Sequence, residues 1–521
     1  MNVTEVLLCQ ARERPDAPAI IETKNGRDQI ITFAQLDEAS ARAAQLLKAS
    51  GLRMGDAVLI FQPMSIELYV ALLAIFRLGL VATFLDPSSG RAHLERCCEM
   101  VPPKAFIAST KAHLLRLTSA AIRKIPRKYV IGWSLPGAIA WSSACKELPF
   151  DPITPCDPGT PALVTFTSGS TGMPKAALRT HEFLLAQHRV LEKNITLLPG
   201  EIDLTTLPIF VLANLGSGVT SLIPDADLRR PGAVDPKPIF AQIARHQPTR
   251  TAASPAFLHR LAEGAEPGAL RYFTKIFTGG APVFHPLLRQ LQTLAPAAEV
   301  VAVFGSTEAE PIAHAAWGDL GTDELDAIGN GSGLLAGTPV SEIAVRIVPD
   351  RWGTPLGPFS KTDFDATRVR TGEWGEIVVS GAHVLGGYLN GTGNKETKIR
   401  VEDVTWHRTG DAGRFDEKGR LWLLGRCAAK IEDKKGLLYP FTVECAAQSS
   451  VYPRRCATLS VNGKRILVVE SAPALSAVEQ RALIDSLAWA GLDEIKFVKT
   501  IPVDKRHNAK VLYEELRASL S

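Results

Sequence analysis

The hydrophobic pattern changes period repeatedly along this chain. After a helical opening, apolar and β-branched runs at 17–22 and 30–33 predict strands around a turn at Asn25-Gly26. Residues 33–50 then repeat apolar positions at helical spacing, with Thr32 as N-cap and Gly51 as stop. A strand at 57–61, a helix at 65–78 and strands at 81–85 and 104–108 continue the rhythm. Such alternation predicts a parallel sheet covered by helices. Residues 110–160 show no clear period. Within them 151–161, rich in Pro and Asp, reads as a loop delivering the chain to the next strand.

Further on, helices are predicted over 182–193 and 238–246. Strands are predicted over 205–210, 222–224, 250–253, 275–278 and 300–304. Several of these strands run into glycine-rich or polar turns at their C-terminal ends, where open α/β sheets place ligands. From 329 to 386 the texture becomes β, with strands at 344–348 and 376–380. A turn at 416–420 and a strand at 421–424 follow. Beyond Gly425-Arg426 the pattern predicts a small α+β unit of about 95 residues, a size suited to a separate lid.

At 521 residues the chain is too long for one ordinary core, so two or more domains are expected. A hydrophobic share of 46% and a charged share of 21% describe a globular enzyme. The net charge of +4 gives no reason to expect nucleic-acid binding. Eight cysteines are scattered without any Cys-x-x-Cys, which predicts reduced thiols in a cytoplasmic protein. No secretory signal is visible at the N-terminus. The most apolar run, 68–85, carries Arg77 at its middle and Gly79 after it. It reads as a buried helix, a turn and a strand, with no transmembrane segment.

The stretch on which the chemistry turns is 163–181. An apolar run at 163–166 reads as a strand. It empties into Thr167-Ser168-Gly169-Ser170-Thr171-Gly172, after which come Pro174 and Lys175. Glycines let backbone N–H groups converge on one anion, and hydroxyls and an ammonium complete a phosphate cradle. A Walker-type loop is excluded, because Lys175 follows a proline and opens no helix. Gly331-Ser-Gly-Leu-Leu-Ala336 fits a dinucleotide fingerprint, but no strand precedes it and no clear helix follows, so a plain turn is expected.

The 163–181 stretch resembles the ATP-binding signature of adenylate-forming enzymes, the group of acyl-CoA synthetases, luciferases and peptide-synthetase adenylation domains. Phe304-Gly305-Ser306-Thr307-Glu308 resembles the second signature of that family. The resemblance implies that Thr307 contacts the α-phosphate, Glu308 helps hold Mg²⁺, and Phe304 and Gly305 lie near the nucleotide. A hard carboxylate sharing the ion with phosphate oxygens suits Mg²⁺. Gly280-Ala281-Pro282 looks like the loop against which adenine slides, Asp411 like the ribose ligand, and Arg426 like the arginine near hinge and ribose. For Asp411, a carboxylate accepting from both ribose hydroxyls needs no partner cation. Lys510 matches the lysine that enters the site during adenylation, where a cation offsets two anions pressed together. The implied fold is α/β. A large N-terminal adenylation domain, 1–425, has layered parallel and mixed sheets with helices and a small β-barrel-like part. A mobile α+β lid, 426–521, follows it.

Within the family the chain is most similar to olefin β-lactone synthetases, usually labelled fatty acid CoA ligases. Pro208-Ile-Phe210, Gly279-Gly-Ala-Pro-Val283, Glu308-Ala-Glu-Pro311, Arg420-Leu-Trp-Leu-Leu-Gly-Arg426 and Pro502-Val-Asp-Lys-Arg-His-Asn-Ala-Lys510 carry that likeness. Many CoA ligases have an aromatic-His pair after the Pro208 position, where this chain has Phe210-Val211. Many have Lys or Asp at the hinge, where this chain has Ala428. The resemblance therefore implies ATP and Mg²⁺ as cofactors, with CoA open but not favoured. It implies a 3-hydroxy acid as substrate, and it leaves room for a complex with other enzymes of the pathway. The acid would form an acyl adenylate, which its own 3-hydroxyl would close to a β-lactone. Ligation to CoA or a carrier protein shares the first half-reaction and is the rival reading. A non-catalytic adenylate-binding protein is a more distant one. His181 is a candidate base, against a purely structural role.

Overall fold

The computed structural model describes the chain except residues 25, 87–88, 146–147, 169–173, 452–453, 471–474, 504–510 and 521. It forms two compact units. The first comprises 1–226, 245–252 and 387–394, and the second 227–244, 253–386 and 395–521.

The first unit holds two sheets. One has the strand order Ile139–Ala140, Arg127–Ile131, Ala105–Ser109, Ala57–Phe61, Val81–Phe84, Pro161–Ser168, Pro174–Thr180. Its neighbours are parallel except the last pair. The other runs Arg250–Ala253, Ile202–Thr205, Thr220–Leu222, Pro18–Lys24, Arg27–Thr32. Strands such as Ala57–Phe61 are buried along their whole length, as continuous apolar runs in parallel sheets require.

The helices begin where side-chain oxygens can cap them. Thr32 accepts from the Gln35 N–H, and Gln35 returns a bond to the Thr32 N–H, which starts Phe33–Ala49. Ser65 caps Ile66–Arg77 by accepting from the Leu68 N–H. Residues 68–77 of that helix are all buried, and each large apolar side chain among them contributes roughly 1.5–3 kcal/mol. Arg77 is buried at its end. Its guanidinium pairs with Asp37 and donates to Ser40 Oγ at 3.3 Å and the Asp151 carbonyl at 3.2 Å. Such a partnered charge suits a folded core. Among the described residues no helix is long and apolar enough to cross a membrane.

One expected strand is a helix. The 205–210 run divides into the end of strand Ile202–Thr205 and the start of helix Pro208–Ser217. Pro208 occupies the first turn, where a missing N–H costs nothing, and Gly218 ends the helix in the left-handed conformation at φ +71°. An apolar run this short reads equally as strand or buried helix, and the punctuation at its two ends decides.

The second unit carries a sheet ordered Ala344–Val348, Gly375–Ser380, Val404–Phe415, Leu421–Arg426, Leu334–Pro339, Ala309–Ala316, Glu299–Ser306, Lys275–Gly279. Only its last pair is parallel. Towards the C-terminus, Cys456–Val461, Lys464–Glu470 and Glu494–Val498 form a small sheet packed with helix Pro440–Val451. All eight cysteines are unpaired, and all but Cys9 and Cys145 are buried. Burial pushes the thiols up, to about 12 at Cys97 and about 11 at Cys98 and Cys145.

Candidate active site

In the first unit the strands on either side of the phosphate-type stretch, Pro161–Ser168 and Pro174–Thr180, pair antiparallel. Thr167 lies opposite Lys175 and Ser168 opposite Pro174. Thr167 and Ser168 therefore end the incoming strand. Gly169, Ser170, Thr171 and Gly172 lie outside the described residues. The strands read from the sequence on either side of them are present.

Lys175 is half-buried, and its Nζ lies 5.6 Å from the centre of the Tyr388 ring. Tyr388 bridges the same strand through Ala177, and its N–H donates to Asn394 Oδ1 at 2.9 Å. Gly393 has φ +84°, and a Cβ there would fall 2.5 Å from Lys175 Cε. The lysine stem thus passes close against Gly393, whose positive φ favours glycine. Neither Tyr388 nor Gly393 was found from the sequence. The Gly386-Gly387-Tyr388 run was the available signal, an aromatic behind paired glycines.

In the second unit Lys275–Gly279 and Glu299–Ser306 run parallel with Gly279 opposite Val303. A Cβ on Gly279 would meet the Val303 carbonyl at 2.5 Å, which explains the glycine. Gly280 leaves the strand at φ +80°, with open space where a side chain would stand. The register therefore sets Gly280, Ala281 and Pro282 beside Phe304 and Gly305, at the C-terminal ends of two parallel strands.

The strand expected to stop at Phe304 continues to Ser306. Thr307 and Glu308 then turn the chain into the antiparallel strand Ala309–Ala316, with Ser306 opposite Ala309. The turn is clamped from behind. The Leu385 N–H donates to the Glu308 carbonyl at 2.7 Å, Val384 bridges Ala309, and His383 Nε2 bonds the Pro311 carbonyl at 3.0 Å. Burial lowers the His383 pKa, so the ring is a neutral strut. Ser306 Oγ is buried without a hydrogen-bond partner among the described residues. An orphaned hydroxyl beside Thr307 and Glu308 fits a polar ligand at this turn.

Asp411 and Arg426 face each other on adjacent strands. Arg426 Nε stands 3.3 Å from Asp411 Oδ1, its Nη1 donates to the Thr409 carbonyl at 3.2 Å, and the Asp411 N–H donates to Thr409 Oγ1 at 3.0 Å. Asp411, read as a carboxylate that needs no partner cation, here stands beside one. Arg426 is 57% exposed, so the pair itself adds little stability. It orients both groups. Arg408, in the same strand, is fully buried and spends its donors on Glu376 and on the Thr354 and Arg351 carbonyls. Its role is structural.

Lys510 lies outside the described residues. His181 is buried, with Nδ1 accepting from the Val3 N–H at 3.1 Å, and burial lowers its pKa to about 4. It is a structural histidine. The Gly331–Ala336 fingerprint is a turn leading into strand Leu334–Pro339, with a Cβ on Gly333 colliding with the Leu423 carbonyl at 2.1 Å. Gly333 serves backbone packing, and Gly331 leaves room for the Trp489 ring.

The family model for AMP-binding enzymes matches residues 8–389. An olefin beta-lactone synthetase of Stenotrophomonas maltophilia (strain K279a) is 31% identical, covering 99% of this chain and 97% of its own length. One from Xanthomonas campestris pv. campestris is 30% identical, covering 99% and 96%. Among solved structures, the anthranilate CoA ligase AuaEII in complex with anthranoyl-AMP matches with a TM-score of 0.83 at 17% identity, over 100% of this chain and 97% of that one. The amide bond synthetase McbA from Marinactinospora thermotolerans matches with a TM-score of 0.80 at 20% identity, over 100% and 99%. These structural likenesses are likenesses of fold.

Proposed function

Because the chain belongs to the AMP-binding enzyme family, we propose that it activates a 3-hydroxy acid as its acyl adenylate and closes it to a β-lactone, releasing pyrophosphate and then AMP. The observation that carries this reading is the end-to-end likeness to two olefin beta-lactone synthetases at 31% and 30% identity.

In the first step the acid carboxylate attacks the α-phosphorus of ATP and pyrophosphate leaves. Thr167 to Gly172 and Lys175 hold the phosphates in this reading. The groove formed by Tyr388 and Gly393 supports that role for Lys175, because it restricts the stem while leaving the ammonium as a donor. Gly280, Ala281 and Pro282 receive the adenine edge, with Phe304 and Gly305 beside them. Thr307 donates to the α-phosphate. Asp411, oriented by Arg426, accepts from the ribose. The unpartnered Ser306 hydroxyl and the Glu308 carboxylate beside it fit a Mg²⁺-nucleotide, and the ion would lend charge neutralisation to the phosphates. Lys510 bridges the carboxylate and α-phosphate, offsetting their mutual repulsion.

In the second step the substrate's 3-hydroxyl oxygen attacks the activated carbonyl, its proton is lost to solvent, and AMP departs. The nucleophile is tethered, so the protein's work is to exclude water and hold a near-attack geometry. Residues 1–425 act as the adenylation domain and 426–521 as its lid. Unpaired cysteines throughout support a reducing, cytoplasmic setting.

Incubation with Mg·ATP and a panel of 3-hydroxy acids, with and without CoA, tests the reading. A CoA-independent β-lactone with AMP and pyrophosphate is the expected outcome. An acyl-CoA formed only when CoA is present would overturn it in favour of a ligase.

A further inference from the structure

Between Glu99 and Glu147 the chain has no Asp or Glu and eight Lys and Arg. The whole chain is only +4, so the rest is net acidic and the positive charge is concentrated in this stretch. The structure turns it into a surface of the first unit.

Lys111, Leu114 and Leu117 are spaced by three along the consecutive turns Ala112–Leu114 and Leu115–Thr118. That spacing sets them on one face, and all three are exposed, Leu114 at 64% and Leu117 at 75%. Trp133, at 85%, stands out from the neighbouring loop. The loop is fastened beside the leucine turn. The Thr110 N–H donates to the Ile131 carbonyl at 3.1 Å, Thr110 Oγ1 to the Trp133 carbonyl at 3.2 Å, and Arg116 Nη1 to the Pro136 carbonyl at 3.0 Å. The tryptophan is therefore presented on an ordered backbone.

Lys111 and Arg116 stand beside this apolar tip. Arg123 and Lys124 end the short helix Ala120–Lys124, and Arg127 and Lys128 open the next strand at the end away from Trp133, where Arg127 Nε donates to the Ser50 carbonyl at 2.8 Å and Lys128 Nζ to the Arg123 carbonyl at 3.1 Å. Among the described residues none of these four, nor Lys111 or Arg116, forms an ion pair with a carboxylate. Burial, and after it the charge of Arg116, lowers the Lys128 pKa, as expected where cations crowd without counterions. Ordinary surfaces intersperse both signs and avoid clustered large hydrophobics.

We propose that this face docks on an anionic phospholipid bilayer. Tryptophan favours the headgroup level, leucines reach the acyl boundary, and unpaired lysines and arginines attract anionic lipid. A nucleic-acid backbone would engage the cations but leave Leu114 and Leu117 in water.

Co-sedimentation of the full chain with phosphatidylcholine vesicles, with and without phosphatidylglycerol, tests this without turnover. Vesicles containing phosphatidylglycerol should bind at least ~10-fold more tightly, and added salt should weaken binding. The double variants Leu117→Ser with Trp133→Ser, and Lys111→Ala with Lys124→Ala, should each bind several-fold more weakly while unfolding at the wild-type temperature. Brominated lipid chains should quench part of the tryptophan fluorescence, and Trp133→Phe should remove that part. Absence of binding, equal binding to both vesicle types, or unaffected variants would overturn the proposal. So would displacement by a DNA duplex at equal phosphate concentration, which would mark the face as a nucleic-acid surface.

Discussion

The Tyr439 hydroxyl donates to Asp350 Oδ2 at 2.8 Å, and Lys430 Nζ stands 3.4 Å from the same oxygen. The Trp374 ring packs edge-on against Tyr439 at 5.6 Å between centroids. Two residues 89 positions apart in sequence are thus tied together. Tyr439→Phe keeps the ring packing and removes one hydrogen bond to a charged group. It is expected to cost roughly 1.5–3 kcal/mol in urea unfolding. A cost near zero would mean that the contact is replaced by water.

Arg408 and Glu376 form a fully buried pair, with Nη2 and Oε2 2.6 Å apart. Removing one partner strands a charge in the core. Glu376→Ala is expected to lose roughly 3–5 kcal/mol. A double variant, Arg408→Met with Glu376→Leu, should recover much of that loss. Equal losses in single and double variants would show that the two carbonyl contacts of Arg408 matter more than the ion pair.

Glu444 gives a pH dependence with a defined sign. It is fully buried in the C-terminal part, accepting at Oε1 from the Thr458 N–H at 2.8 Å and the Tyr513 hydroxyl at 2.9 Å. Burial raises its pKa from 4.5 to about 7. The folded state therefore favours the protonated form. Its stabilising effect is complete below the unfolded carboxylate range and is lost as pH rises through about 7, a change of about 3 kcal/mol. Glu444→Gln should flatten unfolding stability between pH 5 and pH 8. An unchanged slope in the variant would assign the pH dependence elsewhere.

Lys175 and its groove can be tested by pyrophosphate exchange. Lys175→Ala should raise the KM for ATP at least ~10-fold, as loss of a charge-assisted phosphate contact does. Tyr388→Phe keeps the ring and should stay within about twofold, while Tyr388→Ala should not. Gly393→Ala adds a Cβ into the lysine stem at a positive φ and should imitate the lysine variant in part. A silent Gly393→Ala would mean that the segment 387–394 or the lysine stem shifts freely.

Lys510→Ala separates binding from chemistry. ATP affinity should hold, while adenylate formation falls by about 10²–10³, the scale of a lost transition-state charge contact. A matching loss in ATP affinity would make Lys510 a binding residue.

Much of the fold was legible where punctuation agreed with period. Thr32 and Gly51 bounded a helix because caps and stops act locally. Gly279 could be recognised as a special position, but its reason, the Val303 carbonyl across the sheet, is a tertiary fact. Residues 110–160 stayed opaque because their elements are four or five residues long, below the window in which a period shows. In the candidate site, motif residues were legible and their supports were not. Tyr388 reaches Lys175, and Leu385 and His383 brace the Glu308 turn, through contacts more than seventy residues apart in sequence. Arg426 meeting Asp411 depends on strand register, which no local pattern encodes.

The buried cysteines have a practical consequence. A thiol titrating near 11 is ionised to only about one part in ten thousand at neutral pH, so maleimide dyes should pass over the buried thiols. Single cysteines introduced at exposed positions, such as Val404→Cys and Val478→Cys, would then label cleanly once the partly exposed Cys9 is replaced. A donor and an acceptor dye at those two points would act as a molecular ruler. Rotation of the C-terminal part during turnover would be read as a change in energy transfer, in a protein whose own sulfur stays dark.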